Sequence, residues 1–211
     1  MTRRLAVAGL VALLLVAAGL AARRLFPREP ERDACRGVED VAVPPGNPAP
    51  AALPAGTQPA LVVRVVDGDG ICVRPLGAGP LAGDAVHEVR LVGINAPGAG
   101  RCGSEAAARF ARERIGVGTV VHLLADAEDR DRYGRALRYA WDGAGGFFNV
   151  EAVREGAARA LVKAPNERYA GELRAAEAEA RDAGTGVWDC LPWKLIGWLR
   201  RPAAAPAGGS G

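Results

Sequence analysis

Apolar residues in this chain fall into runs of different length, and run length decides what each can be. The longest, Leu5 to Ala22, carries no charge and is bracketed by Arg3-Arg4 and Arg23-Arg24. That length lies at the lower edge for a spanning helix and above the usual signal-peptide core. Residues 1–24 are therefore read as a signal peptide or a membrane anchor, and Gly19-Leu20-Ala21 offers a small-x-small cleavage site. Residues 25–58 have no sustained period and are rich in proline, alanine and charge, as an extended, disordered linker would be.

From Pro59 the runs shorten to strand length. Ala60–Val66 predicts a first strand, Asp67-Gly68-Asp69-Gly70 a turn, and Ile71–Val73 the return strand. A Gly/Pro loop containing Asp84 and His87 leads to a third strand, Val89–Ile94, which carries Arg90 near its start. Asn95-Ala96-Pro97-Gly98 ends it, because proline lacks the donor a ladder needs. A helix is expected from Ser104, with Glu105 in its first turn, to Ile115, stopped by Gly116 and Gly118. Thr119–Leu124 and Ala136–Trp141 supply two more strands around the charged loop Asp126–Arg135. Asn149 opens a second helix to Glu155, and Asn166 a third to Ala183. Five strands, with one helix after the third and two at the end, predict an α+β domain over residues 59–191 whose sheet is a small barrel. Residues 192–211 form a Trp/Arg-containing segment and a low-complexity tail. Trp193 to Arg201 is read as packing over the barrel end beside Trp188, with an interfacial membrane segment as the alternative.

Composition adds limits rather than a function. With 211 residues, 49% hydrophobic and 24% charged, the chain accommodates one cored domain plus tails. A net charge of +3 permits an anionic partner without arguing for one. Cys35, Cys72, Cys102 and Cys190 lie beyond the apolar segment and lack Cys-x-x-Cys spacing, so thiolate metal binding is not indicated. Two disulfides suit an exported chain, and of the three pairings open to four cysteines we expect Cys102–Cys190 with Cys35–Cys72. His87 and His122 have no partner at ligand or catalytic spacing and are read as structural or solvated.

Taken singly, the polar motifs are ordinary. Asp-Gly between apolar runs is a hairpin signal, and Asp131-Arg132-Tyr133-Gly134-Arg135 reads as a solvated loop. In order they say more. Val-Val-Asp67-Gly-Asp69, Arg90-Leu-Val-Gly-Ile-Asn-Ala-Pro97, Asp131-Arg-Tyr-Gly-Arg135, Asn149, Arg154-Glu-Gly156, Ala164-Pro165-Asn166 and Gly186-Val187-Trp188 together resemble the thermonuclease (staphylococcal nuclease-like) family. The resemblance spans residues 60 to 190 and implies a five-stranded OB-type barrel with three helices. It also implies calcium-dependent hydrolysis of DNA and RNA phosphodiesters, acting on single strands. Arg90 and Arg135 match the phosphate-clamping arginines, and Asp69 matches a calcium-binding carboxylate. The main chain of Ala96 stands at the turn carbonyl, and Arg132 and Tyr133 stand beside the terminal phosphate of a bound nucleotide.

Two departures fall in one turn. Asn95 stands where the second metal carboxylate belongs, so weak calcium binding is expected. Gly98 stands where a glutamate would activate water, and reduced hydrolysis is expected. Glu105 is the nearest downstream acid, and its expected role is capping. Family members often place base-contacting rings near Leu161-Val162-Lys163, where this chain has no tyrosine. The alternative reading is a catalytically inactive nucleic-acid-binding or protein-interaction module at the cell envelope. A monomer outside the cytoplasm, secreted or anchored through the N-terminal segment, is the expected setting for either.

Overall fold

The computed structural model describes residues 34–38, 41–45, 50 and 52–190. Its elements run β1 (Gln58–Val65), β2 (Gly70–Pro75), β3 (His87–Leu91), β4 (Gly93–Asn95), α1 (Ser104–Ile115), β5 (Val120–Leu124) and β6 (Ala136–Trp141). Then follow α2 (Phe148–Arg154), β7 (Arg159–Leu161), α3 (Ala170–Ala183) and a 3-10 turn, Gly186–Asp189. Five strands close into a barrel in the order β1-β2-β3-β6-β5, with β5 returning to β1. The β3–β6 pairing is parallel and the other barrel pairings are antiparallel. The expected α+β barrel with three helices is the observed architecture.

Strand alternation explains why β1 and β2 are apolar on both faces. Ala60, Val62, Ile71 and Val73 point into the main core, while Leu61, Val63 and Cys72 form a second cluster with Cys35 and Val120. That outer face would be wet if residues 34–45 were a free linker. Instead Cys35 is bonded to Cys72, and Val38 and Val41 pack over the cluster. Arg64 donates to the Ala34 carbonyl and Arg74 to that of Val41. Part of the expected linker is thus a strap, because two-sided strands need a cover.

The continuous strand expected over Val89–Ile94 is broken. Barrel strand β3 ends at Leu91, and after Val92 the chain turns out to form β4, which pairs with β7 as a separate two-stranded sheet. Gly93 makes the break: its φ is +79°, and a Cβ there would lie 2.5 Å from Leu173 Cδ1 on α3. Asn149, expected to open the second helix, lies within the first turn of α2 and is fully buried. Its Oδ1 accepts the Ala140 amide and its Nδ2 donates to the Val92 carbonyl, so one amide pins the break to the barrel. Asn166 does not open α3 either. It sits in the preceding loop, accepts the Glu128 amide at 2.8 Å and anchors the 126–135 loop.

Helix α1 has the predicted bounds and buries Ala107, Ala111 and Ile115, a four-residue spacing that puts small side chains against the barrel. The second predicted disulfide, Cys102–Cys190, ties the segment before α1 to the chain after the 3-10 turn. No helix among the described residues is long and apolar enough to cross a membrane. Leu5–Ala22 and Trp193–Arg201 lie outside them.

Candidate active site

The predicted site residues meet at one end of the barrel, where the β1–β2 turn, the end of β3 and the turn after β4 converge. Close approach of backbones makes this convergence. A Cβ on Gly68 would fall 2.6 Å from Ala96 Cβ and 2.8 Å from Ala107 Cβ, so the Asp67–Gly70 turn is wedged between the 94–97 turn and α1. Asp67 Oδ1 accepts the Asp69 amide, and the Asp69 carbonyl accepts that of Leu91.

Asp69 is the buried centre. Its Oδ2 accepts the Ala96 amide at 2.5 Å and lies 3.0 Å from Arg90 Nη2. Arg90 also donates to the Leu91 and Ile94 carbonyls, and its Nη2 is 3.5 Å from Asn95 Oδ1. Arginine and aspartate therefore lock the turn from both sides. Burial raises the Asp69 carboxyl to about 6, against the opposing pull of Arg90 and the Ala96 amide, and nearby Asp67 raises it further. Burial likewise lowers the Arg90 guanidinium; Asp69 opposes this, and the positive charge of Arg135 adds to it.

Arg135 reaches the site from the start of β6. Parallel register sets Val89 opposite Ala136, which puts Arg135 level with Glu88 at the start of β3, and its positive charge reaches the Arg90 guanidinium. Asp131 holds it: Oδ2 accepts from Nε at 2.8 Å and lies 2.7 Å from Nη2, while Oδ1 accepts the Tyr133 and Arg135 amides. Tyr133 is 53% exposed and is covered by the guanidinium groups of Arg132 and Arg135, 4.7 and 5.5 Å from its ring centroid. Arg132 also donates to the Tyr133 hydroxyl.

The donors suit a hard cation in kind but are few. Asp69, Asp67 and Asn95 offer side-chain oxygens, the chemistry calcium takes, and a buried carboxylate that resists ionisation beside a second carboxylate marks a place where added positive charge would be stabilising. Among the described residues no three His, Cys, Asp or Glu side chains group as a metal cluster. Gly98 is exposed, and nothing lies within 4 Å of where its Cβ would be. Glu105 does not cap α1: the cap residue is Gly103, without a side-chain bond. It is exposed and lines the same cavity as Asp67 and Pro97. Leu161, paired with Gly93, is 39% exposed and offers an aliphatic surface instead of a stacking ring. Neither histidine joins the site: His122 is buried in β5, and His87 lies 3.2 Å from the Ala82 carbonyl.

Two contributors escape sequence reasoning. Asp67 reads only as a turn residue there, although its spacing from Asp69 is an available signal. Asn149 reads only as the residue that opens a helix, and nothing local announces its long-range bonds.

The model of the staphylococcal nuclease homologue family matches residues 88–190. A thermonuclease from Staphylococcus intermedius is 33% identical over 135 residues, covering 61% of this chain and 75% of that protein. A thermonuclease from Staphylococcus hyicus is 29% identical over 140 residues, covering 64% and 78%.

Proposed function

This chain belongs to the staphylococcal nuclease homologue family, and from that premise we propose that it hydrolyses phosphodiester bonds of single-stranded DNA or RNA with calcium, at a reduced rate. The observation that carries this reading is the interlock of Asp69, Arg90 and the 94–97 turn with Arg135 within electrostatic reach. Asp69, Asn95 and the Ala96 carbonyl would hold the ion. When bound, calcium would polarise the phosphate and offset its charge. Arg90 and Arg135 would clamp the phosphate and stabilise the charge that builds on its oxygens. Arg135 bonds Asp131 through Nε and Nη2 and has Nη1 to offer. Arg132 and Tyr133 flank a terminal phosphate.

Reduced rate follows from what the turn lacks. No side chain at Gly98 can take a proton from the attacking water, and such assistance contributes ~10²–10⁴ in rate, about 3–5 kcal/mol of barrier. Asn95 coordinates with one charge fewer than aspartate, which lowers affinity for the ion. An extracytoplasmic location is proposed from the two disulfides, which persist in oxidising compartments. Residues 1–24 would supply the signal or anchor.

A second reading, an inactive binding or interaction module on the same fold, is favoured by the empty space at Gly98 and the exposed Leu161. Assay of the full oxidised chain on single-stranded DNA with calcium separates the two. Under the leading reading wild type cuts slowly, and Asn95→Asp/Gly98→Glu cuts at least ~10²-fold faster. Equal rates would remove the claim of degeneracy. Failure of both proteins to cut would leave the binding module.

A further inference from the structure

Beside the candidate site lies a cavity of about 770 Å³. Its wall begins with Asp67 and Pro97 of the site itself, continues over residues 99–105 and ends on the outward face of α1. Glu105, Ala108, Arg109 and Arg112 recur there at three- and four-residue spacing, so they share that face. Arg101 adds a third arginine from the preceding loop, whose position Cys102–Cys190 fixes.

These three arginines differ from the others near them. Arg90 pairs with Asp69, Arg135 with Asp131, and Arg114 with both Asp142 and Glu151. In the cavity Arg109 reaches only Glu113, at 4.0 Å with side chains 64% and 66% exposed, and a pair so open to water holds the guanidinium weakly. Arg101 and Arg112 have no acidic partner within 4 Å among the described residues. Of the two acids in the wall, Asp67 turns one carboxylate oxygen back to the Asp69 amide, which leaves Glu105 as the other. Three cations against two acids, one of them engaged, favour an anionic occupant. The wall contains no aromatic ring, so the occupant is held by charge and not by stacking of bases.

We infer that this cavity holds the sugar–phosphate backbone of a single-stranded polynucleotide where it leaves the candidate site, with Arg101, Arg109 and Arg112 on the phosphates of flanking nucleotides. The inference rests on the nuclease-like reading of the neighbouring site and adds a track that short ligands do not reach. Binding through it is independent of base sequence and strongly salt-dependent.

The test compares binding of a dinucleotide and of a single-stranded dodecamer to the full oxidised chain by fluorescence anisotropy, with calcium present and strand integrity checked on gels. Arg109→Ala/Arg112→Ala should bind the dodecamer roughly tenfold more weakly, with a log K against log salt slope shallower by about 1.4. Its dinucleotide affinity should be unchanged. Alanine is the best helix former, so α1 should persist, and circular dichroism would verify it. Glu105→Gln, which removes an opposing charge, should tighten the dodecamer alone. If wild type binds neither ligand, the nuclease-like reading falls and this inference with it. If wild type binds both and the double variant keeps wild-type dodecamer affinity and salt slope, this inference alone is overturned. Inorganic phosphate that saturates wild type at micromolar concentration but not the double variant would assign the cavity to a free anion and also overturn it.

Discussion

At the scale of single residues, the turn after β4 concentrates the differences that matter. Open space surrounds the position a side chain at Gly98 would take, so Gly98→Glu introduces a carboxylate without a clash; the expected gain in hydrolysis belongs to that group and not to repacking. Asn95→Asp should raise calcium affinity, measured by calorimetry, because it adds a charge at the exposed rim above buried Asp69. Titration gives a further check. Since the Asp69 carboxyl keeps its proton up to about 6, calcium must displace a proton below that pH, and affinity should fall as pH drops through 6. His122 behaves differently. Burial lowers its pKa from 6.5, and its Nε2 has no hydrogen-bond partner, so the fold favours neutral imidazole. Below pH 6.5 the unfolded chain takes up the proton more readily than the native one, so stability from this residue is present above 6.5 and lost as pH falls below it. His122→Leu should flatten the decline of the melting temperature as pH falls below 6.5.

Among elements, the break between β3 and β4 is the decisive feature. It lets one stretch of chain place Arg90 inside the barrel wall and Asn95 on a separate sheet, with Arg90 bonding back to the Ile94 carbonyl across the bend. The break is not legible in the sequence because an apolar, β-branched run reads the same whether straight or kinked. Leu173, far along the chain, excludes a side chain at position 93, as does the left-handed backbone there. Asn149→Ala would orphan the buried Ala140 amide and the Val92 carbonyl. At ~1–3 kcal/mol for each group, urea unfolding should show a loss of about 2–6 kcal/mol. Local patterns do locate α1, whose four-residue spacing and glycine stop are sufficient. They place the start of α2 within one residue and that of α3 four residues early, because Asn166 resembles a cap locally while its amide bonds a partner 38 residues away.

For the molecule as a whole, two disulfides with sequence separations of 37 and 88 residues hold the strap to β2 and the cavity loop to the chain after the 3-10 turn. Cross-links closing loops of this size contribute ~2–4 kcal/mol each. Cys35→Ala/Cys72→Ala should lose about that much by denaturant titration and uncover Leu61 and Val63, with increased binding of a hydrophobic dye. The sequence by itself determined the α+β class, the barrel strands, α1, the family and the identity of the groups at the turn, because run length, glycine stops and motif order are local properties. Tertiary structure decided the kink at Gly93, the strap over β1 and β2, the partners of Asn149 and Asn166, and the arginine-lined cavity. Each of these depends on which distant atoms share space, and no local pattern of hydrophobic and polar residues encodes that.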